Sequence, residues 1–399
     1  MSTTPFLPLP APLVAPLERS GAAATTHYRA VVLTSIRDID AARWDELVGT
    51  AAVTRSHAYL DAIESASLNE CRYYYPVVYD EHNELVAHAC VYTIVTDFAQ
   101  LLPARQQRWV HRLRRWWPRL FTVKITECAS PFVAGHALTI RAGAERERVL
   151  RELDLALAGI AQAERSWLIV IRDFLEPERA AFDGLLAHGF QPRLNLPLAR
   201  IRVRWASYAD YLGAMRARYR KDVKRRLQRA QASGQQVEVM RAFGQHADTW
   251  AAQAAVVLAN AQRFKRERVG PGYYRNMERK LGDHSVLLVA RRNGRIVAHG
   301  LVLTDSDNTV ATFFGREAGR PNAEWFSLMN EVIRLGIERR SRYIHLGLGS
   351  YAAKNLVGAD IEPLYVYCRT TSRLLNALLR LLPEVMKPRA EPTRRIFHD

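Results

Sequence analysis

Cysteine is scarce in this sequence: there are four in 399 residues, and they are scattered. Cys71, Cys90, Cys128 and Cys368 form no C-x-x-C pair and have no histidine at metal-ligand spacing. That pattern excludes a disulfide framework and a zinc signature, and predicts reduced thiols in a cytoplasmic protein without a metal. A phosphate-binding P-loop, a Rossmann fingerprint and a Ser-His-Asp motif are also missing, which leaves nucleotide hydrolysis, dinucleotide redox chemistry and triad hydrolysis without support. Residues 1–27 lack a basic start and are broken by prolines, so a flexible tail is expected there rather than a signal peptide or membrane helix.

Acidic residues are outnumbered, 40 Asp plus Glu against 57 Lys plus Arg, for a formal charge of +17. Such an excess attracts polyanions: tRNA, phosphate-rich cofactors, acidic carrier proteins or anionic lipid head groups. An arginine-rich, alanine-rich composition accounts for it equally without any partner. With 48% hydrophobic and 24% charged residues the chain is globular, and its length suits two domains.

Two hairpin signals divide the chain. Residues 73–95 alternate apolar positions around a turn near His82-Asn83, and residues 286–304 do so around Asn293-Gly294. Each is followed by a strand (FTVKITECA, TVATFFG), a helix (AERERVLRELDLALAGIAQAE, EWFSLMNEVIRLGIERR) and another strand (SWLIVIRDF, RYIHLGLGS). The repeated order predicts two diverged copies of one α+β unit, residues 28–204 and 205–370, followed by a C-terminal helix and tail over 371–399. The second unit opens with a helix carrying eight Lys or Arg between Arg216 and Arg229.

Tandem hairpin-strand-helix-strand units, joined by the helix YRKDVKRRLQRAQASG and ending in LGLGSYAAKNLVGADIEPLYVYCR, resemble the Fem-related proteins of the GNAT superfamily and, within them, the BioF2-like acetyltransferase group. The resemblance spans residues 28–370. It implies two tandem GNAT-like domains, each a mixed sheet flanked by helices, and attack of an amine on an activated acyl carbonyl. The acyl donor it implies is a thioester, acyl-CoA or acyl-carrier protein; the alternative is aminoacyl-tRNA with a cell-wall precursor as acceptor. A third reading is a non-catalytic nucleic-acid or membrane-binding module on the same scaffold. In the resemblance the cofactor loop falls at Arg316, Gly319 and Arg320. Pro321, which has no N–H to donate, stands where Gly or Ala is expected, leaving the two arginines to hold phosphates by charge-assisted bonds.

Acyl transfer to an amine needs a deprotonated nucleophile, a stabiliser for the oxyanion and an acid for the leaving group. Lys354, Ser350 and Tyr351 follow a strand expected to border the substrate channel. Lys354 is a candidate for oxyanion or phosphate binding, and either hydroxyl for donation to the leaving group; a solvated lysine after a Gly-rich turn is the plain alternative. Glu127, in an apolar strand, is a candidate base if burial raises its pKa. His299 lies among apolar neighbours and is a base or a core histidine. Tyr365 and Tyr367 share one face of the last strand and suit a channel lining. Glu324, at the start of a helix, either binds substrate or complements the helix dipole. Arg216, Arg218, Arg220, Lys221, Lys224 and Arg225 form a candidate polyanion face, alternatively a solvated one. Residues 106–121 interleave Trp109, Trp116 and Trp117 with arginines, which suits peripheral contact with an anionic inner membrane face, a lid over an acyl chain, or packing against the domain.

Overall fold

The computed structural model describes residues 27–260, 267–319, 323–381 and 395–398. The expected tail therefore lies almost wholly outside the described residues, as do Arg320 and Pro321.

Both hairpins form where alternation and turn chemistry placed them. In the second, Asn293 (φ 50°) and Gly294 (φ 79°) join the strands Ser285–Arg292 and Arg295–Thr304, the two positive angles that a tight hairpin turn needs. In the first, Arg72–Tyr79 pairs with a return strand broken at Cys90 into Leu85–Ala89 and Val91–Asp97. The helix Arg146–Ala163 buries Val149, Leu150, Leu153, Leu157, Ile160 and Ala161, a stripe at helical spacing that packs on the first sheet.

The strands assemble into a nine-stranded and a seven-stranded mixed sheet, each flanked by helices. The units exchange strands. Leu198–Arg202, from the first half of the sequence, sits in the second sheet between Tyr343–Gly347 and Asp360–Glu362. Leu364–Thr370, from the second half, sits in the first sheet between Leu168–Leu175 and Gln191–Leu194. Tyr365 pairs with Leu194 and Glu362 with Leu198, and the amide of Asn195 donates to the carbonyl of Leu364 at 2.8 Å. One antiparallel ribbon, residues 191–202 against residues 360–370, thus passes from one sheet into the other.

The exchange is supported by packing. A single apolar core runs from Ile36 through Phe132 to Leu303, so helices of the second half, with Trp250, Tyr273 and Tyr274, close the inner face of the first sheet. A second core lies under the helix Ala323–Glu338 and takes in Tyr219 and Val223 of the basic helix Ala217–Ala232. The four cysteines are free thiols, and no group of metal-ligating side chains occurs among the described residues.

Candidate active site at the crossing of the two sheets

In the second sheet the parallel strands Asn308–Arg316 and Tyr343–Gly347 pair only from Asn308 to Val310 and then part. Gly347, at φ 74°, turns the chain out of the strand, and the short helix Tyr351–Asn355 folds Lys354 back onto that turn. Lys354 is buried, and its Nζ donates to the carbonyls of Gly347 and Leu348, 3.0 Å from each. Burial pushes its pKa down to about 7. Tyr351 donates to the carbonyl of Pro197 at 2.8 Å, which ties this loop to the crossing ribbon. Ser350 is exposed in a left-handed conformation, and its carbonyl accepts the amides of Ala353 and Lys354.

Across the ribbon, the first sheet presents a buried polar cluster. Glu127 accepts from Arg172 Nε at 3.1 Å and from the Tyr92 hydroxyl at 2.9 Å, while Arg172 also pairs with Asp173. Burial works against the Arg172 charge, yet Asp173, Tyr92 and Glu127 hold its pKa well above the ordinary value. Asp173 occupies a bulge at φ 74° and accepts from Asn195 of the ribbon at 2.6 Å. Glu127 is therefore buried, as expected, but as a member of an ion-paired network and not as an isolated acid.

A second set of titratable groups, Arg55, His136, Glu178 and His345, is coupled through the Glu178 charge. His136 stands 3.5 Å from Glu178, and the Glu178 charge also acts on Arg55 and His345. His345 pairs with Asn308 at 3.1 Å; burial, then the Arg200 charge, lowers its pKa to about 4. Of these groups Glu127 alone was a candidate from the sequence, and Arg172, Asp173, Tyr92, Arg55, His136, Glu178 and His345 were not. The signal for three of them was charge inside otherwise apolar strands, Arg172-Asp173 in SWLIVIRDF and His345 in RYIHLGLGS.

Several candidates sit elsewhere. His299 is fully buried, bonded to Tyr274 and Gln253 at 2.9 Å each, and burial lowers its pKa to about 3. It is a satisfied core histidine, with both ring nitrogens bonded. Tyr365 and Tyr367 follow their strand into the first sheet: Tyr367 donates to Asp183 at 3.0 Å and Tyr365 lies under the Arg179 guanidinium, so they do not line a channel in the second unit. Glu324 is buried in the first turn of its helix, with one carboxylate oxygen bonded to Arg292 at 2.9 Å. On the basic helix, Arg216 donates to the carbonyl of Phe397 and Arg220 to those of Gly213 and Met215, which ties both to the fold. Arg218, Lys221, Lys224 and Arg225 remain exposed. Arg316 ends its strand half-buried, followed by Gly319 at φ 73°.

The chain matches the FemAB-like family model, described as peptidoglycan biosynthesis/recognition, over residues 35–330. A Mycobacterium tuberculosis protein provisionally named 8-amino-7-oxononanoate synthase 2 is 24% identical over 319 residues, covering 78% of this chain and 41% of that protein. The chain thus spans about two fifths of the length of the curated relatives it matches. FemX superposes with a TM-score of 0.54 at 12% identity over 86% of this chain and 98% of that one. The C-terminal domain of a lysylphosphatidylglycerol synthetase from Agrobacterium fabrum, also provisionally named, gives 0.54 at 12% over 87% and 96%. These likenesses carry the fold. The protein belongs to the FemAB-like family.

Proposed function

We propose that the protein transfers an acyl group from a thioester to an amine at the opening between the strands Asn308–Arg316 and Tyr343–Gly347. The observation that carries this reading is Lys354, a buried lysine whose partners are two carbonyls and whose pKa is about 7. In its neutral form it retains donors for both carbonyls and has a lone pair to accept a proton. As the amine nitrogen bonds to the acyl carbon and the carbon–sulfur bond breaks, Lys354 takes the proton released by the nitrogen and returns it to the departing sulfur. Ser350, exposed at the same turn, is placed to donate to the developing oxyanion, while Tyr351, committed to Pro197, positions the loop.

The end of the strand fits a phosphate-bearing carrier in two respects. Arg316 brings a guanidinium to the last position of the strand, and Gly319 takes the left-handed turn that lets backbone approach a ligand closely. Coenzyme A would supply the thioester there; this chain supplies the proton transfer. A second donor, aminoacyl-tRNA, is favoured by one observation: Arg218, Lys221, Lys224 and Arg225 all stand exposed on the basic helix. Calorimetric titration with acetyl-CoA and with free coenzyme A, at low and moderate salt, tests the choice. Binding that Arg316→Ala abolishes supports the thioester; no heat from either ligand removes it and favours the tRNA donor.

A further inference from the structure

The apolar side chains that the fold leaves in water concentrate at one end of the first sheet. Val95 and Lys124 are paired at that end, Leu168 lies opposite Ile125 one strand on, and Thr370 lies opposite Leu168 on the next. Three strand spacings, about 15 Å, therefore separate the end of the strand that leads toward the helix Ala104–Leu113 from the end of the strand that leads to the helix Arg373–Leu381.

The first segment is held rigidly while its aromatic rings face outward. Arg114 grips Asp97 through two bonds of 2.9 and 2.6 Å and also donates to the Leu120 carbonyl, closing the loop that carries Trp116 and Trp117. Those rings are 80% and 62% exposed, and Trp109 is 62% exposed on the preceding helix. Arg112 lies over the Trp109 ring, and the three indoles otherwise stand mostly in solvent. The second segment is pinned on its inner side, where Asn376 bonds the Gly189 carbonyl at 2.8 Å and the Thr370 amide at 3.1 Å. Its outer face shows Leu374, Leu375 and Leu378, the first 73% exposed. Trp167, 44% exposed, stands between the two.

The charge of this end has one sign. Residues 98–121 and 371–381 contain no Asp or Glu, while Arg105, Arg108, Arg112, Arg115, Arg119 and Arg373 lie within them. The nearby acids are neutralised inside the fold: Asp97 by Arg114, Glu164 by Lys124, Asp154 by Arg369. A cavity of about 870 Å³ opens at the same end, with Arg165, Trp167, His188, Arg369 and Arg373 in its wall.

We infer that this end of the first sheet docks on an anionic phospholipid bilayer. Tryptophan and leucine enter the interface, the arginines meet the head groups, and the cavity at Arg165 and Arg373 takes a lipid phosphate. No helix among the described residues is long and apolar enough to cross a membrane, so the contact is peripheral. This docking is independent of the acyl-transfer chemistry proposed above, since it uses none of the same residues.

The test is sedimentation of the full chain with vesicles of phosphatidylcholine alone and of phosphatidylcholine with phosphatidylglycerol, at low and high salt, with tryptophan emission read in parallel. Partition into the anionic vesicles, a blue shift, and weakening by salt are expected. Trp116→Ser with Trp117→Ser, and separately Leu374→Ser with Leu378→Ser, each lower the partition by about tenfold or more, while melting temperature is unchanged. Arg165→Gln with Arg373→Gln lowers it for phosphatidylglycerol vesicles only. Equal partition into neutral and anionic vesicles, or none into either, overturns the proposal. So does a concentration-dependent dimer that the same serine variants abolish, because the face would then belong to a second copy.

Discussion

The ammonium nitrogen of Lys354 lies 3.0 Å from the carbonyl oxygens of both Gly347 and Leu348, and it reaches them from inside the fold. Carbonyl dipoles only partly offset the lost hydration of a buried cation, which is why its pKa falls to about 7.

That depression makes stability depend on pH. An unfolded lysine titrates at about 10.4, so between pH 7 and about 10 the unfolded chain binds more protons than the folded one. Stability contributed by this residue therefore rises with pH through that window and is flat below it. Urea melts from pH 7 to 10 are expected to show a rising component in the wild type that Lys354→Met removes.

Histidines predict the opposite margin. Burial lowers His88 and His299 to about 3 and His345 to about 4. Their unfolded values are about 6.5, so the unfolded chain binds the extra protons as pH falls below that, and stability is lost from about pH 6.5 down to the folded values. The melting temperature is expected to fall steadily between pH 6.5 and about 4, with a shallower fall in His88→Phe, whose ring keeps the stack on Trp44.

Gly315 lies opposite His299 across the two strands, and a β-carbon there would overlap the His299 ring. Gly315→Ala is expected to destabilise the fold by about 3 kcal/mol or more, because the ring is already held by Tyr274 and Gln253. Denaturant unfolding of the variant measures it. A ribbon variant supplies a comparison: Asn195→Ala removes the bond to Asp173 and is expected to cost about 1–3 kcal/mol.

Local structure was legible in the sequence because it depends on local chemistry. Alternation and Asn293-Gly294 gave the hairpin, and the spacing of Leu150, Leu153 and Leu157 gave the helix on the first sheet. The exchange was not legible. Leu198–Arg202 and Leu364–Thr370 read as ordinary strands, and nothing in their alternation says which sheet pairs with them; that is decided by partners far away in the chain. Misplacing the second of these strands is what put Tyr365 and Tyr367 beside the wrong half. His299 shows a different limit. Its apolar neighbours were visible, whereas the Gln253 and Tyr274 groups that satisfy it come from helices 46 and 25 residues distant.

The most direct measurement is thiol release from acetyl-CoA in the presence of a panel of primary amines, followed against pH in the wild type and in Lys354→Arg. The wild-type rate is expected to rise with pH on an apparent pKa near 7, and the variant to lose about 10²-fold to 10⁴-fold of it, with that limb absent. Transfer that proceeds in Lys354→Arg at the wild-type rate and with the wild-type pH profile would contradict it.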